Sequence, residues 1–128
     1  MIHEHTCFIC IGSNFRAEKS LNNARLVLEA SLGKITWAEP TNSDAIGHPD
    51  WPPFINQCGV FKTIIPLRLI KMQLKGIEDM CGRNPEEKRD GCIEIDIDLI
   101  AFDGEVIKDT DVDRDYIKKG AKQLGIAL

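Results

Sequence analysis

The sequence predicts an α+β domain of the ferredoxin-like type. Its element order is β-α-β-β-α-β, and its four-stranded antiparallel sheet carries both helices on one face. Apolar residues switch along the chain between the spacing of a strand and the spacing of a helix. Residues that favour turns separate these segments. The chain has 128 residues, so we expect residues 1–128 to form one domain around one core.

The first half of the chain is predicted to form a strand, a helix and a second, shorter strand. Residues 6–12 are a nearly continuous apolar run, which is typical of a strand buried on both faces. From Ala17 to Leu32 the apolar residues fall on one helical stripe, and Gly33 follows as a stop signal. Residues 35–39 then form the second predicted strand.

A long loop is predicted between the second and third strands. Residues 40–53 contain four prolines together with glycine, asparagine and serine, a composition that interrupts helices and strands. Loops of this length inside a compact domain are usually functional or disordered. Trp51 and Phe54 at its end favour an ordered loop that faces a ligand.

The second half is predicted to form a strand, a helix and a further strand. Residues 55–64 have a strand pattern. The apolar residues that follow step by three and four until Gly82, which indicates a helix. A polar loop at residues 83–92 separates this helix from an alternating strand at 93–102. A weaker pattern around 114–125 allows a terminal helix.

The charge and composition argue against several classes of protein. The net charge is −4, whereas a nucleic-acid-binding surface needs a broad excess of basic residues. No apolar run approaches the ~20 residues that span a bilayer, and residues 1–6 lack the basic region of a signal peptide. Five scattered cysteines suit reduced thiols better than a disulfide framework. We therefore expect a cytoplasmic protein without nucleic-acid or membrane partners.

The last predicted strand alternates apolar residues with carboxylates. Asp96 and Asp98 share one strand face, about 6.6 Å apart along the backbone, and Glu94 precedes them on that face. Adjacent carboxylates repel one another unless a cation lies over them. Mg²⁺ suits such a site, because it binds a few carboxylates together with phosphate oxygens. The pattern also leaves open a half-solvated strand whose polar face is simply acidic.

Short motifs at the ends of the predicted strands and helices occur in an order typical of a known family. The motifs are Ile11-Gly12-Ser13-Asn14, Phe54-Ile55-Asn56, Ile77-Glu78, Gly82-Arg83, Ile95-Asp96-Ile97-Asp98-Leu99 and the run at residues 102–107. Over roughly residues 6–112 the chain resembles the 6-hydroxymethyl-7,8-dihydropterin pyrophosphokinases. This resemblance implies a ferredoxin-like fold and a monomeric, Mg²⁺-dependent diphosphotransferase. Such an enzyme moves the β,γ-diphosphate of ATP to the hydroxymethyl group of a dihydropterin in folate synthesis.

The resemblance also implies roles for the residues that match the family's motifs. Asp96 and Asp98 are implied to bind Mg²⁺, with two ions expected, and to act in catalysis together with Arg83. Asn56 would read the edge of the pterin with its amide, and Phe54 would stack on the ring. The residues implied to bind the pterin are Ser43, Asp44, Ala45, Ile46, Gly47, Phe54 and Asn56. The residues implied to bind ATP are Glu78, Arg83, Arg89 and Tyr116.

The chain departs from the family where positive charge is expected around the phosphates. Pro85 and Ile93 stand where the family has arginines, and Asp90 stands where it has an aromatic residue. After residue 112 the chain lacks the family's histidine and the aromatic residue that covers the pterin. Each lost arginine removes a bidentate phosphate contact. We therefore expect the pterin pocket and the metal pair to persist while ATP binding is weakened or altered.

The sequence leaves three other functions to consider. The missing arginines fit a catalytically weakened or inactive paralogue that acts as a pterin-binding or interaction module. His3, His5 and Cys7 alternate, so they can share a strand face as metal ligands, although a frayed N-terminus and a buried thiol explain them more simply. An RNA-binding sheet is disfavoured, because the central strands carry cysteine, isoleucine and carboxylates instead of exposed aromatics.

Overall fold

A computed structural model describes residues 3–83, 91–107 and 112–128 of the chain. In chain order the elements are β1 (His5–Ser13), α1 (Ala17–Leu32), β2 (Thr36–Trp37), β3 (Thr41–Ser43), β4 (Phe54–Thr63), α2 (Leu67–Met80), β5 (Asp96–Phe102), β6 (Glu105–Val106) and α3 (Asp115–Leu124). None of the helices in these ranges combines the length and the apolar character that crossing a bilayer requires.

The sheet has six strands in the described residues, so the prediction of four strands is wrong. The strand order is β2-β4-β1-β5-β6, β3 also pairs with β4, and each of these pairings is antiparallel. The predicted second strand, residues 35–39, forms only at Thr36–Trp37. Strand β3 lies inside the predicted loop 40–53 and was not predicted, and Pro40, which has no N–H to continue a ladder, separates it from β2. Strand β6 follows from a tight turn at Asp103 and Gly104, where both residues have positive φ.

Strand β1 is buried on both faces, as its continuous apolar run predicts. On one face, Cys7, Ile9 and Ile11 pack into a core with α1 and α2. The residues that the two helices add to this core are Leu21, Ala24, Leu28, Ile70, Leu74 and Ile77. Each large apolar side chain buried in this way contributes roughly 1.5–3 kcal/mol.

The third helix, α3, packs on the opposite face of the sheet, so the predicted placement of helices on one face holds only for α1 and α2. Phe8 and Cys10 of β1 pack there with Ile117 of α3. Gly120 of α3 lies directly on Cys58, where a Cβ atom would collide with the sulfur. Because β1 is apolar on both sides, its second face also needs cover, and α3 provides it.

Helix α3 covers only part of this second face. The covered part includes Phe8, Cys58 and Ile100. Further along β1, around Gly12, the same face borders a recess. The part of the sheet that α3 leaves open is therefore the candidate binding site.

Candidate active site

Three adjacent strands bring the predicted polar residues together at the open end of the sheet. Gly12 of β1 pairs with Asn56 of β4 on one side and with Asp96 of β5 on the other. Two residues earlier in β1, Cys10 lies opposite Asp98. Paired residues point to the same face and neighbouring strands are about 4.8 Å apart, so the backbones of Asn56 and Asp96 are roughly 10 Å apart.

Gly12 keeps the space between these residues open. A Cβ atom at this position would lie 2.9 Å from Asn56 Oδ1 and 3.7 Å from the ring of Phe54. Any side chain would therefore press on the amide of Asn56. The close approach of that amide to the backbone explains why a glycine follows the apolar run of β1.

The open end of the sheet forms a recess of about 460 Å³, the first recess. Most of the residues predicted to bind the pterin line it, namely Ser43, Asp44, Ala45, Ile46, Phe54 and Asn56. Gly47 is not among the described residues that line it. This glycine has a φ of 75° in a turn that His48 closes by donating its backbone N–H to Ala45 O at 3.2 Å.

Asn56 is oriented before any ligand arrives. The residue is 6% exposed, and its Nδ2 donates to Ser43 Oγ at 2.6 Å. Strand β3 holds Ser43 in place by pairing it with Phe54 at the start of β4. Such pre-organisation lowers the entropic cost of binding a ligand.

A second recess, also of about 460 Å³, lies beside β5 and α2. Strand β6 pairs with Ala101 and Phe102 only, so the earlier residues of β5 have no strand on that side within the described chain. The residues that line this second recess are Lys71, Leu74, Lys75, Glu78, Arg83, Asp96, Ile97, Asp98, Leu99 and Ile107.

Asp96, Asp98 and Arg83 line both recesses. Two molecules, one in each recess, would therefore meet at these three side chains. The side chain of Asp96 is 44% exposed, so its carboxylate is accessible. Two carboxylates in this position have the chemistry of a Mg²⁺ site, since Mg²⁺ prefers a few carboxylates together with substrate oxygens.

An ion-pair network that begins inside the protein holds Arg83. Its Nη1 donates to Asp96 Oδ1 at 3.2 Å. Glu78 is 2% exposed, and its Oε1 lies 3.9 Å from the same nitrogen and 3.2 Å from Lys75 Nζ. Its Oε2 accepts from Ile97 N at 2.8 Å. The buried carboxylate thus joins α2 to β5 and orients Arg83.

Of the four residues predicted to bind ATP, one described residue lies at the first recess and not at the second, and one falls outside the described residues. Tyr116 lines the first recess instead, and its hydroxyl accepts from Arg114 Nη1 at 3.0 Å. Arg89 lies outside the described residues. The other two, Glu78 and Arg83, line the second recess, and their contact with ATP stays a prediction.

The strand predicted from residue 93 begins three residues later. Strand β5 starts at Asp96, so Glu94 precedes it and does not share the strand face of the aspartates. The carboxylate of Glu94 lies against Gly82 at the end of α2, where a Cβ atom would be 2.5 Å from Oε2. Pro85 and Asp90, two further positions in this loop where the chain departs from the family pattern, lie outside the described residues.

Asn14 joins three segments around the first recess, a role that the sequence did not predict. Its Nδ2 donates to Gly91 O at 2.7 Å and to Pro52 O at 3.1 Å. Its Oδ1 accepts from the backbone N–H of Ile93 at 2.5 Å. The Gly-Ser-Asn motif was the available signal, but a motif carries no information about partners that lie 38 to 79 residues away.

Cys10 and Cys58 form a thiol pair beneath the first recess. They are direct partners in the register of β1 and β4, and Cys10 lines the recess. The hydrogen bond to Cys58, burial and the nearby negative charge of Asp98 raise the pKa of Cys10 well above its ordinary value. Cys10 is therefore a neutral thiol, and it gives the recess an apolar floor.

Comparison with known proteins identifies a family over most of the chain. The model of the 7,8-dihydro-6-hydroxymethylpterin-pyrophosphokinase (HPPK) family matches residues 8–124. The match extends beyond residue 112, where the resemblance carried by the motifs ends, and reaches the last residue of α3. No curated protein matches the chain.

Proposed function

The chain belongs to the 7,8-dihydro-6-hydroxymethylpterin-pyrophosphokinase family, and we propose that it transfers the β,γ-diphosphate of ATP to a dihydropterin in folate synthesis. The observation that carries this proposal is the position of Asp96 and Asp98 on the border of two recesses. A transfer between two substrates requires their reacting atoms to be held together in one geometry. Two recesses with a shared acidic border meet that requirement.

We assign the pterin to the first recess. The amide of Asn56 offers both a donor and an acceptor to the amide and amine edge of the ring. Ser43 Oγ accepts from Asn56, so its own proton is available to a ligand. Phe54 and Tyr116 bring aromatic surface to the same recess, and we therefore assign Tyr116 to the pterin and not to ATP. A ring that leaves one of these buried polar groups unpaired loses about 1–3 kcal/mol.

We assign the polyphosphate of ATP to the second recess. Lys71, Lys75 and Arg83 line it with positive charge, and its aliphatic residues suit the base. The family's arginine before the acidic strand is replaced here by Ile93. Lysines compensate only in part, because an ammonium is a point charge without the bidentate geometry of a guanidinium. We therefore expect weaker ATP binding than a member with the full arginine set would show.

Asp96 and Asp98 fit the Mg²⁺ that this family uses, with up to two ions. They border both recesses, and the side chain of Asp96 is accessible. When bound there, Mg²⁺ would neutralise phosphate oxygens and favour loss of the leaving group. Arg83 is held beside the same carboxylate by Glu78, so its charge lies at the border before substrates bind.

The proposed transfer makes one bond and breaks one. The hydroxymethyl oxygen of the pterin bonds to the β-phosphorus of ATP, and the bond from that phosphorus to the α-phosphate oxygen breaks. AMP leaves with that oxygen, and the hydroxyl proton passes to water. Release of AMP, and not of ADP, distinguishes this reaction from ordinary phosphoryl transfer.

A second candidate function is a pterin-binding protein without turnover. The observation that favours it is Ile93, which is 4% exposed and lines the first recess where the family has a phosphate-binding arginine. Such a protein would keep the contacts of Asn56 and Ser43 with the ring. Its function would then be binding or interaction and not synthesis.

One pair of measurements tests the proposal. The protein is incubated with 6-hydroxymethyl-7,8-dihydropterin, ATP and Mg²⁺, and AMP is measured by chromatography. Calorimetry with a non-hydrolysable ATP analogue reports binding in the presence and absence of the pterin. AMP formation that needs both substrates supports the enzyme. Pterin binding without nucleotide binding at millimolar concentration supports the non-catalytic alternative, and the absence of both overturns the proposal.

A further inference from the structure

Two histidines and an aspartate meet at the end of the sheet opposite the candidate active site. His5 is the first residue of β1, His3 precedes the strand by two residues, and Asp103 lies in the turn after β5. Along β5, Asp103 is five residues from Asp98, which corresponds to roughly 17 Å of strand. The cluster is therefore separate from both recesses, and the inference below does not rest on the proposed function.

The three side chains converge on one point. His5 Nδ1 lies 2.7 Å from Asp103 Oδ2, and His3 Nε2 lies 3.6 Å from the same oxygen. The three possible ligand atoms all lie within 4.8 Å of one another. Ligand atoms around a tetrahedral Zn²⁺ are about 3.3 Å apart, given bonds of about 2.0–2.1 Å. Small side-chain rotations therefore bring the three atoms to coordinating distance.

The carboxylate of Asp103 is fixed by the backbone of β1. Its Oδ1 accepts from Thr6 N at 2.8 Å, which leaves Oδ2 directed at the imidazoles. Asp103 has a φ of 52°, a left-handed conformation that few residues other than glycine adopt and that aspartate tolerates. The ring of His5 packs on Phe102 at a centroid distance of 4.6 Å. Such supporting contacts are typical of groups that orient metal ligands.

We propose that His3, His5 and Asp103 form a binding site for a divalent transition-metal ion such as Zn²⁺, with water in the fourth position. Imidazole nitrogens suit Zn²⁺, Ni²⁺ and Cu²⁺, whereas Mg²⁺ prefers oxygen ligands. The site therefore differs in metal preference from the aspartate pair at the other end of the sheet. A bound ion would join the N-terminal residues to the turn between β5 and β6 and stabilise that end of the sheet.

The geometry also changes the ligand set that the sequence allowed. Cys7 is fully buried in the core under α1 and α2, so its sulfur is not available beside the histidines. Asp103, which is distant in sequence, takes the third position. Without a metal, His5 Nδ1 and Asp103 Oδ2 are at hydrogen-bond distance, and a bound ion would take the place of this direct contact.

Calorimetric titration of the untagged protein with Zn²⁺ tests the site, with excess Mg²⁺ present to occupy the aspartate pair. Co²⁺ serves as an optical probe, because nitrogen and oxygen ligands give visible bands without the intense near-ultraviolet band of a cobalt–thiolate bond. We expect one equivalent to bind, with affinity reduced about tenfold or more in His3→Ala and His5→Ala. Zn²⁺ should also raise the thermal unfolding midpoint of the wild type but not of His3→Ala.

His48→Ala is the matched control, because His48 is the third histidine of the chain and lies near Trp51 in the long loop. It should bind Zn²⁺ as the wild type does. His3 is 73% exposed, so its replacement leaves the fold intact even if the His5 variant unfolds. Equal affinity in the wild type and His3→Ala, or an equal loss in His48→Ala, overturns the proposal. AMP formation is expected to be the same in His3→Ala as in the wild type, so this test and that of the proposed function fail independently.

Discussion

The two faces of strand β1 use one backbone for different purposes. On the face under α1 and α2, Cys7, Ile9 and Ile11 are fully buried. On the opposite face α3 packs on Phe8, whereas Gly12 borders the first recess. The candidate site therefore lies where α3 no longer covers the second face of the sheet. Successive residues of β1 point to opposite faces, so they contribute either to the core or to the recess.

The largest expected effect on stability comes from the fully covered face. Ile9→Ala should lower the free energy of unfolding by about 2–5 kcal/mol, because the cavity lies in a core that cannot collapse around it. Ile46→Ala, on the recess side and 62% exposed, should change it by less than about 0.5 kcal/mol. Urea unfolding followed by circular dichroism measures both. Equal values for the two variants would contradict the difference between the faces.

The next effect concerns the segments that border the open face. Asn14→Ala removes three hydrogen bonds to Pro52, Gly91 and Ile93, which leaves the buried backbone groups of Gly91 and Ile93 without these partners. We expect a loss of about 1–3 kcal/mol in stability. The KM for the pterin should rise more than the KM for ATP, since these segments lie beside the first recess. Asn22→Ala, on the exposed side of α1, is the control. If its KM values match those of Asn14→Ala, the positioning role is wrong.

A smaller effect, on pterin affinity, is expected at Gly12, where the recess depends on the absence of a side chain. Gly12→Ala should displace the amide of Asn56, since the new Cβ atom would lie 2.9 Å from Oδ1. Loss of one aligned hydrogen bond corresponds to about a tenfold weaker pterin affinity, which calorimetry measures. Gly76→Ala in α2 has no heavy atom within 4 Å of the added Cβ atom and should bind the pterin normally. Unchanged affinity in Gly12→Ala would remove Asn56 from the site.

The smallest expected effect is on the alkylation rates of the cysteines on the two faces of β1. Burial raises the pKa of Cys7 to about 12. The pKa of Cys10 is raised by its hydrogen bond to the free thiol of Cys58 and by burial. Alkylation requires the thiolate, so at pH 7–9 both remain protonated and react slowly with iodoacetamide. Cys92, which is half-buried, should be labelled first. Mass spectrometry of peptides follows the labelling, and rapid modification of Cys10 would show that the recess floor is not apolar.

Local patterns in the sequence were sufficient for the main elements of the fold. Helix α2 was predicted because its apolar residues repeat at the helical period from Leu67 onward. The burial of β1 on both faces follows from its unbroken apolar run. The strands β3 and β6 were missed, since two or three residues are too few to show a period. The side of the sheet that α3 covers was also missed, because it depends on packing against distant residues.

The residues of the candidate site were predictable where the signal is local in the sequence, as they were for the fold. Asp96 and Asp98 were identifiable because their alternation is local, and family motifs pointed to Asn56. The buried partner of Arg83 and the place of Tyr116 in the first recess are products of the fold. Contacts of this kind join residues distant in the sequence, and a single sequence carries no pattern for them.

The central claim is that Asp96 and Asp98 hold a cation where the two substrates meet. AMP formation by Asp96→Asn and Asp98→Asn tests it most directly, with Asp79→Asn, an exposed position on α2, as the charge-matched control. We predict that each site variant loses about 10²–10³-fold in rate while it still binds the pterin, and that the control keeps wild-type activity. Wild-type rates of AMP formation in both site variants would contradict the account.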